Sequence, residues 1–136
     1  MDKRIAASIG SPWIPQGRGL KGFDCYGYVL FVLDDPSMPE CPFMGAPSDR
    51  WGFIQDLSKI FRKVKDRTPY GIVVMGKQGR MEHVGVYHPS GIVYHCLEGS
   101  GVVGHRLEHL GILGFDTKIF YKWESNANIS STKESV

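Results

Sequence analysis

Two strand-like runs, EHVGVYH and IVYHCL, flank Pro89-Ser90-Gly91, and this short connection constrains the chain more than any other feature. A three-residue hairpin loop is a type I turn followed by a residue in the left-handed region, a place that favours glycine. With Gly91 there, His88 faces Ile92, Tyr87 faces Val93 and Gly85 faces His95. Side chains alternate along a strand, so His83 and His95 then lie diagonally on one face, about 7 to 8 Å apart at the backbone. Gly85 leaves room between the two rings, while His88, one step out of phase, points the other way. A two-residue loop would instead slip the register by one and set Cys96 beside His83.

The rest of the chain after Pro69 continues in β-type runs, GIVVM before the hairpin and TKIFYKW after a Gly-rich turn region. Ahead of them the pattern differs. SPWIPQGRGLKG, ending at Gly22, is dense in Gly and Pro and predicts an ordered, turn-rich loop. FDCYGYVLFVL, from Phe23 to Leu33, is apolar throughout, and periodicity alone fits a buried strand as well as a buried helix. Asp24 tips the balance, because an Asp at the N-cap bonds free amides of a helix's first turn and would make Cys25 the first helical residue. Asp34 to Asp49 holds four prolines and predicts a long surface loop. In WGFIQDLSKIFRKVKD, Phe53, Ile54, Leu57, Ile60, Phe61 and Val64 recur at helical spacing, which predicts an amphipathic helix with a solvated charged face. The polar stretch from Ser125 to Val136 is expected to be a disordered tail. The expected fold is therefore α+β, one domain over residues 1–124 with helices first, packed on a C-terminal antiparallel sheet.

Sixteen Lys and Arg against fourteen Asp and Glu give a formal charge of +2. These charges are scattered, without the basic stripe that neutralises phosphates, so nucleic acid is excluded as an expected partner. The longest apolar stretch is too short to span a bilayer, and the opening MDKRIAASIGSPW has no apolar signal region. Synthesis in the cytoplasm, with neither signal peptide nor membrane anchor, is the expectation. Cys25, Cys41 and Cys96 are odd in number and lack C-x-x-C spacing, which argues against a disulfide framework or a zinc clamp.

Chemistry concentrates on Cys25. The thiolate is the reactive form of cysteine, and a helix N-terminus favours it because free amides and the helix dipole stabilise negative charge. The same amides can stabilise the oxyanion that forms when a thiolate attacks a carbonyl. Gly27 is expected to keep the neighbouring helical surface open for substrate. The plainer reading treats Cys25 as a small buried hydrophobe. Cys41 and Cys96 keep that reading, and His88, His105 and His109 receive no role. His83 and His95 stand out only through their shared face.

These residues resemble a known family. GSPWIPQGRGLKGFDCYGYV and HVGVYHPSGIVYH, in that order, are similar to the NlpC-type cell-wall peptidases, papain-like enzymes with a G-F-D-C-S-G-like nucleophile motif and a later H-V-G-I-Y-like strand. Pro12-Trp13, Gly17-Arg18-Gly19, Phe23 to Gly27 and His95 to Val103 most resemble the branch found in tails of long-tailed bacteriophages. The resemblance implies Cys25 as nucleophile, His83 as general base and later acid, and His95 as the residue that orients His83. It places Trp13, Asp24 and Tyr26 around the oxyanion and substrate site. Many relatives have Tyr where Trp13 stands, a small Ser or a Trp where Tyr26 stands, and Asp where Ile72 stands.

The implied substrate is the stem peptide of murein (peptidoglycan), cut with no metal or organic cofactor. The implied partners are other tail-tip proteins, and the implied location is the virion tail. Three alternatives remain open at this point: a catalytically silent tail-assembly protein that keeps the fold, a thiol amidase or acyltransferase on another substrate, and a zinc site built from His83, His95 and a cysteine.

Overall fold

The computed structural model describes residues 1–40, 57 and 60–124. Helix α1 (Asp2–Ser8) is followed by the short strands β1 (Arg18–Gly19) and β2 (Gly22–Phe23), then helix α2 (Cys25–Leu33). Strands β3 (Arg62–Val64), β4 (Ile72–Lys77), β5 (Arg80–Tyr87), β6 (Ile92–Leu97), β7 (Gly101–Arg106) and β8 (Thr117–Lys122) follow, with a 3-10 segment over Leu107–Leu113 between the last two. These six strands form one antiparallel sheet in the order β3-β8-β4-β5-β6-β7. The α+β expectation holds.

The turn-rich segment is ordered, as its Gly and Pro content predicts. β1 and β2 pair with Arg18 opposite Phe23, and Trp13 forms a parallel bridge to Phe23. The ambiguous apolar run resolves into two elements. Phe23 ends β2, Asp24 turns in an extended conformation, and α2 begins at Cys25. Among α2's residues, Cys25, Tyr26, Gly27, Tyr28, Val29 and Val32 are buried, which is why the run shows no amphipathic period. The helix stops at Asp34, whose left-handed backbone (φ 49°) lets its amide bond the Leu30 carbonyl.

Packing proceeds on both faces of the sheet. On one, α2 lies against β5 and β6, joining Tyr28, Val29 and Val32 to Ile72, Val74, Val84, Val86 and Cys96. α1 is tied to α2 by the Ser8–Tyr28 hydroxyl pair (3.0 Å) and by Arg4, whose guanidinium sits 4.0 Å over the Phe31 ring. On the other face, Val73, Met75 and Val93 pack against Leu107, Leu110 and Phe115. Each such buried aliphatic or aromatic side chain contributes about 1.5–3 kcal/mol.

Two expectations need correction. The helix predicted from Trp51 to Asp66 falls largely outside the described residues, but its end is a strand: Arg62, Lys63 and Val64 pair with Lys122, Tyr121 and Phe120. Helical spacing there yields to an edge-strand pairing that suits a β-branched valine. The Gly-rich turn region conceals a full strand, β7. Gly99, Gly101 and Gly114 take positive φ there, but Gly104 stays within the strand, where a Cβ would lie 2.8 Å from the Tyr94 ring. Of the predicted proline-rich loop, Cys41 to Asp49 lies outside the described residues, as does the tail from Ser125.

Candidate active site

Asp24 builds the start of α2. Its Oδ1 accepts the Gly27 amide at 2.6 Å and receives Arg18 Nη1 at 2.9 Å, while the same guanidinium reaches Glu40 Oε1 at 2.7 Å through Nη2. The carboxylate is fully buried, and pairing with Arg18 offsets the cost of removing its charge from water. Cys25 therefore occupies the first helical position beside a capped, ion-paired terminus, itself only 1% exposed.

Gly27 has a different task from the one expected. A Cβ there would fall 2.0 Å from the Gly17 carbonyl and 2.6 Å from Arg18 Nη1. The space belongs to the turn-rich loop packed on the helix rather than to a substrate.

The hairpin register is the one Gly91 requires. Gly91 has φ 93°, the His88 amide bonds the Ile92 carbonyl, and Tyr87 lies opposite Val93. His83 and His95 consequently share a face, with Nε2 of the first 2.8 Å from Nδ1 of the second. A Cβ on Gly85 would sit 3.0 Å from His95 Cβ, so the glycine does make room for this pair. The His83 ring also stacks on Phe115, 5.4 Å between centroids and 3° from parallel. A β-bulge between Met75 and Gly76 adds one residue to β5 immediately before His83.

His105 joins the pair. His95 Nε2 lies 2.9 Å from His105 Nδ1, giving three imidazoles in series across β5, β6 and β7. The missed signal was a second diagonal: Val93 faces His105 and Val103 faces His95, the same relation that joins His83 to His95. Reading Gly99 to Gly104 as turns hid the strand that carries it. His95 is fully buried, and burial, reinforced by the nearby charge of His105, pulls its pKa down to about 4, so it is neutral at pH 7. The ring nitrogens face one another in sequence rather than converging on a point, and among the described residues no group of three or more His, Cys, Asp or Glu is placed to hold a metal ion.

His83 borders a cleft of about 260 Å³ whose apolar lining is Leu97, Leu113 and Phe115 and whose charged lining is Lys77, Glu82 and Glu98. Trp13 is half-buried against the core beside Phe23, one residue from the helix cap. Tyr26 is completely buried, and its hydroxyl donates to the Pro39 carbonyl at 2.6 Å. It anchors the segment after α2 from beneath and exposes no surface of its own. Cys96 lies behind the cap, its thiol donating to the Phe23 carbonyl at 3.2 Å. Burial, with the charge of Asp24, pushes its pKa up to about 12, in keeping with the inert role expected of it. Among the described residues no helix is long and apolar enough to cross a membrane.

No family model and no curated protein matches the sequence. Among solved structures, the chain is similar to the crystal structure of the NlpC/p60 domain of the peptidoglycan hydrolase SagA, with a TM-score of 0.58 and 18% sequence identity. The match covers 90% of this chain and 95% of that one. The small α+β architecture, helices first and an antiparallel sheet after, is thus the fold of an NlpC/p60 domain.

Proposed function

We propose that the chain is a cysteine peptidase that hydrolyses stem peptides of murein, with Cys25 as nucleophile, His83 as base and His95 as the residue that orients it. One observation carries the reading: a buried, hydrogen-bonded histidine pair on the strands against which the Cys25 helix packs. Nε2 of His83 faces His95, and this reading assigns the proton transfer from the thiol to Nδ1. The bulge interrupts the strand alternation of β5 immediately before His83.

In this reading His83, which borders the cleft, takes the Cys25 proton and the thiolate attacks a peptide carbonyl. Amides of the first turn of α2 stabilise the tetrahedral oxyanion, and Trp13, beside the cap, contributes at the same end. His83 then protonates the leaving amine, and water activated by His83 releases the acyl group. Asp24 holds the helix start and Tyr26 fixes the segment beyond it, so both shape the site without touching the scissile bond.

The likeness of Pro12-Trp13, Gly17-Arg18-Gly19 and the His95 to Val103 stretch to phage tail peptidases supports a place in a virion tail tip, beside other tail proteins, with the murein reached from outside the cell. Purified chain is expected to release stem-peptide fragments from murein, identified by mass, while leaving the glycan strands uncut. Cleavage confined to glycan, or no release at all, contradicts the reading. Mass spectrometry of purified particles that lack this chain would remove the tail assignment alone.

A further inference from the structure

The tautomers set which way the three-imidazole series runs, and proton transfer to His83 selects one direction, which assigns work to His105. A neutral imidazole carries one donor and one acceptor nitrogen, and both nitrogens of buried His95 face other imidazoles, at 2.8 Å and 2.9 Å. Each of those contacts needs one proton and one lone pair. When His83 holds the proton taken from a thiol, both of its nitrogens are donors, so His95 Nδ1 must accept. The single proton of His95 then sits on Nε2 and must be received by a bare Nδ1 on His105. Were His105 Nδ1 protonated instead, His95 would be forced into the opposite tautomer, its Nδ1 proton aimed at His83 Nε2. His83 could not then become doubly protonated without two donors facing each other.

We propose that His105 is a positioning residue, which fixes the tautomer of His95 and through it the readiness of His83 to take a proton. The proposal rests on the peptidase reading for its direction and its consequence, but the tautomer itself is measurable without any substrate. His105 is half-buried at the open end of the series, while His83 and His95 are 4% and 0% exposed. Its place on β7, diagonal to His95, is fixed by the Val93–His105 and His95–Val103 pairings.

Nitrogen NMR of the full chain at neutral pH reads the His95 ring directly. In the wild type, His95 is expected to be a single neutral tautomer with its proton on Nε2; a proton on Nδ1 would overturn the proposal whatever the enzyme does. His105→Phe removes the acceptor, and His95 should then populate the Nδ1-protonated form. His105→Asn, whose Oδ1 can stand near the position of Nδ1, should restore the Nε2 form. With active enzyme, kcat on murein peptides should fall roughly tenfold to a hundredfold in the Phe variant with KM little changed, and recover in the Asn variant. An unchanged His95 tautomer in folded His105→Phe sinks the idea. If that variant does not fold, the wild-type tautomer and the Asn variant still decide it. Absence of murein cleavage by the wild type counts against the peptidase reading and leaves the tautomer result standing by itself.

Discussion

Cys25 and Cys96 lie on either side of Asp24, and both thiols are buried, yet the chain treats them in opposite ways. Cys25 follows the cap residue in sequence and opens α2, where the first-turn amides point. Cys96 comes from β6, sits behind Phe23 and donates a hydrogen bond to that residue's carbonyl. The same Asp24 charge serves as cap and ion-pair partner for the helix start, and opposes ionisation of Cys96. Burial thus does not tell the proposed nucleophile from the other thiol. What distinguishes them is place: Cys25 opens a helix, where the dipole favours negative charge, whereas the Cys96 thiol faces a carbonyl acceptor.

The contrast can be strained from several directions. Replacing His83 by Ala should reduce murein hydrolysis by roughly a thousandfold or more, since the nucleophile loses its base, and a thiol-only residual rate near wild type would dissolve the contrast. In the folded protein a small alkylating reagent at pH 8 should modify Cys25 at least about a hundred times faster than Cys96, whose thiolate is vanishingly populated there. Peptide mapping by mass gives both rates in one experiment.

Stability should respond to pH at both ends. His95 has a folded pKa of about 4 against 6.5 for the free side chain, so below 6.5 the unfolded chain binds a proton that the folded one refuses. Its contribution is present above pH 6.5 and is lost as pH falls from there through 4, on the order of 3 kcal/mol in all. Cys96 acts in the mirror sense. Its folded pKa of about 12 exceeds the free value of 9, so stability is lost as pH rises through that interval. Denaturant melts of the wild type and of Cys96→Ala across pH 5 to 11 separate the two, because only the alkaline loss should shrink in the variant. The smallest effect is that of Cys96→Ala at neutral pH, about 1–2 kcal/mol from the small cavity left under Phe23.

Much of this site was legible in the sequence, for identifiable reasons. Gly91 fixes the hairpin register, and the alternation of a paired strand then carries His83 and His95 to one face. Asp24 fixes where α2 begins, because an N-cap is a local device whose signal survives in the sequence. What escaped was non-local. Gly99, Gly101 and Gly104 read as turn residues, although Gly104 is in a strand because the Tyr94 ring needs its space. With β7 hidden, His105 had no partner to point to. Gly27 looked like a vacancy for substrate because nothing local reveals that the Gly17 carbonyl fills it. The run ending at Val64 showed helical spacing, and the β8 pairing that overrides it lies more than fifty residues away.

The most direct test sets the two cysteines against each other on the substrate itself. Wild type, Cys25→Ala and Cys96→Ala, each checked for folding, are incubated with purified murein, and released peptides are quantified by mass. Cys25→Ala should release none and Cys96→Ala nearly as much as wild type. Peptide release by folded Cys25→Ala at the wild-type rate would contradict the assignment of Cys25 as nucleophile.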